Sequence, residues 1–201
     1  MSLKYFVHVS SISNLSDARY CSGMMVNSLG FNLDENSKNK LEIESVKEIC
    51  QWINGVKLVA EFNNSSEKHI NGILEKEDFD AIQINYKNNS KNIKFDKNKV
   101  IIRIPDPKLI KRETNDYLKK YFPDVEILTI DNLSPENIDC LDLIDEKYMI
   151  LINPYDNIKS ISIKLTNKNF GLLLQGSDEI RPGLKDYDGL SDLLESIDES
   201  L

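Results

Sequence analysis

Eight short apolar segments recur along this sequence, and amphipathic segments separate most of them. Each apolar segment has the length of one buried β-strand. The predicted strands cover residues 4–10, 24–31, 56–62, 79–85, 99–104, 125–131, 148–153 and 170–176. Strands that alternate with helices are typical of a parallel sheet in which a crossover helix returns each strand. The pattern therefore predicts an α/β fold whose closed form is a (β/α)8 TIM barrel.

A single domain covering residues 1–201 is expected, because a chain of this length can bury one sizeable core. The predicted helices cover residues 15–23, 43–53, 65–76, 107–122, 134–144, 155–165 and 187–198. Helix start signals are Asn14 or Ser16 for the first, Ser65 or Ser66 for the third, and Ser134 with a following proline for the fifth.

Two parts of this assignment are open. A doubly wound open sheet is the alternative fold, but it usually has a Gly-rich turn after its first strand, and "HVSSIS" contains no glycine. The connection over residues 87–97 is too polar to assign and is expected to be irregular.

Composition excludes several function classes. The formal net charge is -8, from 25 basic and 33 acidic residues, and the basic residues are dispersed, so neither nucleic acid nor an anionic membrane is an expected partner. Three cysteines lie at long spacings without Cys/His grouping, which indicates free thiols in a reducing cytoplasm and no metal site. No secretion signal and no membrane-spanning apolar run is recognisable, which also favours a cytoplasmic protein.

In a barrel of this class, chemistry takes place at the C-terminal ends of the strands. The residues at those ends are Ser10 to Asn14, Asn32 to Lys40, Asn63, Asn85, Arg103, Asp131, Asn153 and Gln175 to Glu179.

The first strand and helix resemble a known family. "HVSSISNLSDARYCSGMMVNSLGF" resembles the opening of phosphoribosylanthranilate isomerase, which runs KICGITNLEDA and then GAD-x-x-GF. Further along, "VKLVAEFNN", "DAIQIN" and "EIRPGLKD" resemble the family's VxxVGVFVN, AVQLH and ExxPGxKD. The resemblance implies a (β/α)8 barrel that performs an Amadori rearrangement of phosphoribosylanthranilate in tryptophan biosynthesis, without metal or cofactor.

The resemblance also assigns catalytic positions. The family's general base, the Cys of KICG, is replaced by Ser10, and a serine hydroxyl needs a neighbouring base to accept a proton. The general acid is retained as Asp131, which could instead cap the next helix. His8 should point into the same interior one layer deeper, where it would act through Ser10 or a water, or be a buried structural residue.

Substrate-binding positions are altered as well. The family's Gly-Gly pair after strand seven is Asn153 and a proline, which has no N–H to donate. The loop after strand eight keeps Gln175, Gly176 and Ser177 as a partial anion nest.

The other substrate contacts are expected from side chains on strands two to five. The family's Arg after strand two is Asn39, its Gln-Leu-His keeps Gln83 but places Asn85 at the His, and Arg103 lies at the same rim. The family's Gly-rich loop after Asp131 is replaced by a sequence that continues directly into the predicted helix.

Two hypotheses remain. The favoured one is a degenerate relative of the family with reduced or lost isomerase activity, because base, phosphate loop and substrate loop are altered together while the scaffold pattern persists. The alternative is a working, divergent isomerase acting on phosphoribosylanthranilate or a related sugar phosphate. Both predict a phosphorylated small-molecule ligand, and a monomer or homodimer.

Overall fold

Eight parallel strands, ordered β1 to β8 around the ring, close into a barrel in the computed structural model. The structure describes residues 3–87, 99–154, 158–176, 179–181, 184–185 and 188–198. The strands are β1 (Val7–Ser10), β2 (Ser28–Asn32), β3 (Lys57–Phe62), β4 (Ala81–Asn85), β5 (Lys99–Ile104), β6 (Ile127–Ile130), β7 (Met149–Ile152) and β8 (Phe170–Gln175). β8 pairs with β1 in parallel, so the ring has no free edge. The predicted (β/α)8 barrel is confirmed, and the open sheet is excluded.

Six α-helices are seen in the described part of the chain. They are α1 (Leu15–Gly23), α2 (Ile43–Cys50), α3 (Glu67–Leu74), α4 (Thr114–Tyr121), α5 (Ile158–Lys164) and α6 (Asp188–Ser196). Two very short antiparallel strands, Glu179–Arg181 and Leu184–Lys185, lie between β8 and α6. Most of the connection predicted to be irregular lies outside the described residues.

The structure shows which of the alternative N-cap residues is used in α1 and in α3. Asn14 caps α1, with its Oδ1 accepting the backbone N–H of Asp17 at 2.9 Å. Ser66 caps α3 by accepting the N–H of His69 at 3.3 Å. Each cap satisfies a backbone donor that has no partner within its helix.

The helix predicted over residues 134–144 is wrong in type and start. A 3-10 helix forms instead over Ile138–Leu143. The side chain of Asn137 explains the delay: its Oδ1 accepts the N–H of Ser134 at 2.8 Å, and its Nδ2 donates to the carbonyl of Asn132 at 3.1 Å. These bonds hold the preceding residues in a turn, as asparagine side chains commonly do.

The long helix predicted over residues 107–122 is also divided. A 3-10 turn covers Pro107–Leu109, and α4 begins at Thr114. Ile110, which is extended and 3% exposed, separates the two segments. Burial of its side chain against the main core accompanies this break in the helical path.

Alternation along the strands separates two apolar regions. Outward-facing residues of the strands pack under the helices in the main core. Inside the barrel, Val59, Ala81 and Ile101 form a small separate cluster with Ile127 packed against it. The other buried residues facing inward are two leucines, Leu151 and Leu173, and five polar residues, namely His8, Ser28, Glu61, Gln83 and Thr129. Polar side chains therefore fill much of the barrel interior.

The three cysteines, Cys21, Cys50 and Cys140, are free thiols, as expected. Burial raises the pKa of the Cys50 thiol to about 11, so this thiol is a poor nucleophile near neutral pH. Within the described ranges, no helix is long and apolar enough to cross a membrane.

Candidate functional site at the C-terminal ends of the strands

Ser10 lies at the end of β1, next to Gln175 in the register with β8. Its hydroxyl is 3.3 Å from the Ser11 hydroxyl, which is its hydrogen-bond partner among the residues described by the structure. Its carbonyl accepts the backbone N–H of Gly176 at 3.0 Å. A hydroxyl whose partner is another hydroxyl is not activated, because that partner is too weak a base to take up its proton.

Asp131 follows β6 and forms an ion pair with Arg103 of β5. Arg103 Nε and Nη2 donate to the same carboxylate oxygen, Oδ2, at 2.8 and 2.5 Å, and Nη1 donates to Asn63 Oδ1 at 2.6 Å. Both side chains are partly buried, with 28% of Arg103 and 19% of Asp131 exposed. Such charge-assisted bonds hold the guanidinium and the carboxylate in one geometry.

This pairing gives Asp131 a role that the sequence did not predict. Asp131 is not the cap of the next helix, because that helix begins at Ile138. The carboxylate of Asp131 accepts two N–H donors from one arginine, and its role as a general acid stays a prediction.

The predicted substrate-binding amides lie at different depths. Gln83 is 3% exposed, and its Oε1 accepts the Thr129 hydroxyl at 3.1 Å, so it belongs to the polar interior. Asn85 is nearer the rim, where its Nδ2 donates to Asn64 Oδ1 at 3.3 Å. The Oδ1 of Asn85 is buried and has no partner in the described part of the chain. A buried acceptor of this kind normally requires a donor from water or a ligand.

Asn39, predicted to replace the family's Arg, lies on the exposed connection between β2 and α2. Its backbone N–H donates to the Ser37 hydroxyl at 3.3 Å, and Ser37 in turn accepts the side-chain amide of Asn32 at 2.8 Å. These bonds order the connection next to the end of β2.

The structure describes three of the four residues predicted to bind phosphate. Asn153 and Gln175 are exposed at the ends of β7 and β8. The N–H of Gly176 already donates to Ser10, and a Cβ on Gly176 would lie 3.2 Å from Asp17 Oδ2. Ser177, the remaining predicted residue, lies outside the described residues.

His8 lies deeper in the barrel, as predicted, and is fully buried. Its Nδ1 is 2.9 Å from Ser28 Oγ, and its Nε2 is 3.2 Å from Glu61 Oε1. The other oxygen of Glu61 accepts the backbone N–H of Ser11 at 3.1 Å. Both ring nitrogens of His8 are therefore used by residues other than Ser10.

Two of these hydrogen-bonded residues, Glu61 and Asn63, are not predicted as site residues by the sequence. Asn63 is predicted only as a strand end, and Glu61 lies within a predicted apolar strand. The sequence does contain a signal for Glu61. It is a carboxylate at an inward-facing position of the strand "VKLVAEF", and a buried charge at such a position requires a partner.

Among the described residues, no group of three or more His, Cys, Asp or Glu side chains is arranged to hold a metal ion. At the C-terminal ends of the strands, the rim of the barrel consists of an arginine, a carboxylate, two serine hydroxyls and several amides. Its donors and acceptors fit a small polar or anionic molecule.

The fold and this rim define the chain as a (β/α)8 barrel with a polar C-terminal mouth. No protein-family model and no curated protein sequence matches the chain. Solved structures do match it over nearly its whole length, and they include phosphoribosylanthranilate isomerases.

The isomerase from Thermotoga maritima has a TM-score of 0.73 at 17% sequence identity, covering 98% of this chain and 100% of that one. The isomerase from Thermus thermophilus has a TM-score of 0.72 at 17% identity, covering 94% and 96%. KGPDC from Streptococcus mutans has a TM-score of 0.64 at 9% identity, covering 98% and 99%. The chain therefore has the fold of the phosphoribosylanthranilate isomerases, as the sequence resemblance implied.

Proposed function

We propose that this protein is a phosphoribosylanthranilate isomerase-like barrel with reduced or lost isomerase activity, which binds a small phosphorylated ligand at its C-terminal mouth. The observation that carries the proposal is the state of the two catalytic positions. Asp131, at the acid position, is ion-paired with Arg103, and Ser10, at the base position, contacts another hydroxyl.

The Amadori rearrangement requires two proton transfers, since an acid opens the ribose ring and a base then removes the proton from C2. Ser10 would need a neighbouring base to serve in the second step. His8 does not fill this role, because its two nitrogens contact Ser28 and Glu61. The loss of the base removes the step that commits the substrate to product.

Binding needs fewer groups than catalysis does. The guanidinium of Arg103 is a planar donor that suits phosphate or carboxylate oxygens, and an anionic ligand would compete with Asp131 for it. The buried Oδ1 of Asn85 is available to accept a ligand hydroxyl. One isomerase of the same fold was solved with reduced 1-(o-carboxyphenylamino)-1-deoxyribulose 5-phosphate, which indicates the ligand class to test first.

A working, divergent isomerase is the second candidate. The position of Asp131 at the end of its strand favours it, since this is where the resemblance places the acid. The two candidates make opposite predictions for turnover and the same prediction for ligand binding. A monomer or homodimer and a phosphate at Asn153 and Gln175 to Ser177 also stay predictions.

The test combines an activity assay with a binding assay on the purified protein. Loss of phosphoribosylanthranilate fluorescence reports turnover, and titration calorimetry with the reduced product analogue reports binding. We expect no turnover, together with binding that Arg103→Ala weakens at least tenfold. Arg19→Ala, which removes an exposed arginine on α1, is the matched control and should bind normally.

Turnover that disappears in Asp131→Asn would overturn the proposed loss of activity and establish the second candidate. Absence of both turnover and binding would overturn the proposed ligand. A crystal soaked in phosphate separately tests the predicted loop: density beside Gln175 and Gly176 would support it, and density only at Arg103 would exclude it.

A further inference from the structure

Ser28, His8 and Glu61 lie on three neighbouring strands, β2, β1 and β3, and are joined in a row by hydrogen bonds. Ser28 Oγ is 2.9 Å from His8 Nδ1, and His8 Nε2 is 3.2 Å from Glu61 Oε1. The three residues are 2%, 0% and 3% exposed. A hydroxyl, an imidazole and a carboxylate in this order form the arrangement by which proteins activate a serine nucleophile.

The protonation pattern follows from the partners of Glu61. We assign to His8 the tautomer with the proton on Nε2, since this nitrogen faces a carboxylate oxygen, which is an acceptor. Nδ1 is then the acceptor for the hydroxyl proton of Ser28. Glu61 is itself held through Oε2 by the N–H of Ser11. The imidazole is therefore oriented to take a proton from Ser28.

Gly30 provides the space for this arrangement. A Cβ at Gly30 would overlap Glu61 Oε1 and would lie 3.0 Å from His8 Cε1. The family patterns that this chain resembles have Lys and Val at the positions of His8 and Glu61. The row of three side chains is thus separate from the isomerase positions at the C-terminal mouth.

A cavity of about 230 Å³ opens beside Ser28 at the N-terminal ends of the strands. Its apolar wall includes Val59, Ala81 and Ile101. Lys57, which pairs with Ser28 in the β2–β3 register, also lines the cavity, together with the acidic residues Asp80 and Glu126. The volume suits a small apolar group.

We propose that Ser28 is an activated nucleophile and that this cavity accepts small esters with a short apolar acyl group. Ser28 Oγ attacks the ester carbonyl while its proton passes to His8 Nδ1. The bond to the alcohol oxygen breaks, His8 returns the proton to the departing alcohol, and the acyl group remains on Ser28. Water then attacks the acyl-serine with His8 again taking the proton, which releases the carboxylic acid and restores the hydroxyl.

The experiment treats the folded full-length protein with phenylmethylsulfonyl fluoride and, separately, with p-nitrophenyl acetate. Intact mass and peptide mapping locate the label, and nitrophenolate absorbance follows ester cleavage. We expect one label on Ser28 and none in Ser28→Ala. We also expect labelling at least tenfold slower in Glu61→Gln, because loss of the orienting carboxylate disturbs the imidazole.

Two further variants keep the test decisive. Ala81→Leu fills the cavity without changing the three hydrogen-bonded side chains and should suppress labelling while circular dichroism reports a folded protein. Ser22→Ala removes a serine that bonds to Asn54 outside the cavity, and it should label as the unmodified protein does. Labelling of Ser28 reports on the cavity at the N-terminal ends of the strands, so the outcome is independent of ligand binding at the C-terminal mouth.

The proposal is overturned if the label maps to another residue, if the folded protein takes up no label, or if Ser28→Ala cleaves the ester at the unmodified rate. Equal labelling of Glu61→Gln and the unmodified protein would also overturn it, because the carboxylate would then do nothing for the nucleophile.

Discussion

Arg103 and Asp131, at the ends of the adjacent strands β5 and β6, are joined through a single carboxylate oxygen that accepts two N–H donors of one guanidinium. Asn63 takes a third N–H of the same arginine. Asp131, which the resemblance to the isomerases predicts to be the general acid, is thereby held in a partly buried ion pair. The proposed loss of proton transfer depends on Asp131 of this ion pair, and the proposed anion binding depends on Arg103.

The first prediction concerns the strength of this pair. A double-mutant cycle of Arg103→Ala and Asp131→Ala should give a coupling energy of about 1–3 kcal/mol in urea denaturation, because the bonds are charge-assisted and partly shielded from water. The exposed pair of Lys40 and Glu42, at 3.3 Å, is the control and should couple by less than about 0.5 kcal/mol. Equal coupling in the two cycles would show that the buried geometry adds nothing.

The second prediction concerns Ser10→Cys, which restores the thiol that the resemblance places at the base position. We expect no isomerase activity in the fluorescence assay, because Asp131 remains paired with Arg103 and the N–H of Gly176 remains bonded to Ser10 O. Thiol titration confirms that the cysteine is present and reduced. Turnover that appears in Ser10→Cys and vanishes in Ser10→Cys/Asp131→Asn would mean that only the base is missing.

The sequence predicted the barrel because every strand is short, apolar and separated from the next by an amphipathic segment, which is local information. It failed where one side chain redirected the backbone, as Asn137 does by holding a turn before the 3-10 helix.

In the candidate site, the sequence likewise predicts the positions of single residues but not their partners. The sequence predicts Ser10, Arg103 and Asp131 at the rim, because each lies at the C-terminal end of a predicted strand. The partners of those residues come from distant positions in the chain, since Asn63 reaches Arg103 and Glu61 reaches His8 only when the ring has closed. Such pairs depend on strand register, which the pattern of apolar residues does not specify side chain by side chain.

The third prediction concerns the space at Gly30. Gly30→Ala should destabilise the protein by about 1–3 kcal/mol, because its Cβ would overlap the carboxylate of Glu61. Gly30→Ala/Glu61→Val should lose less stability than the sum of the two single variants, since the overlap is then removed. Thermal and urea denaturation measure both effects.

The matched glycine control is Gly72 in α3, where a Cβ would meet nothing within 4 Å. Gly72→Ala should stabilise the protein by about 0.5–1 kcal/mol, because alanine loses less backbone entropy in a helix. If Gly30→Ala were also neutral or stabilising, the close approach of Glu61 to Gly30 would be incorrect.

The fourth prediction concerns acid stability and Glu35. The backbone N–H of Ser66 donates to Glu35 Oε1 at 2.6 Å, and this bond, with a weaker contribution from His69, lowers the pKa of Glu35 below its ordinary value. A carboxyl with a lowered pKa in the folded state stabilises the protein above its unfolded pKa of about 4.3. That contribution is lost as the pH falls through the lower, folded pKa.

Glu35→Gln should therefore have a lower urea midpoint than the unmodified protein at pH 6–7, and the difference should shrink toward zero as the pH falls below about 4. Gln51→Ala, an exposed change that does not titrate in this range, should give an offset that does not vary with pH. Urea midpoints measured at half-unit intervals from pH 3 to pH 7 provide the comparison. A difference that stays constant, or grows at low pH, would mean that the bond from Ser66 does not favour the ionised form of Glu35.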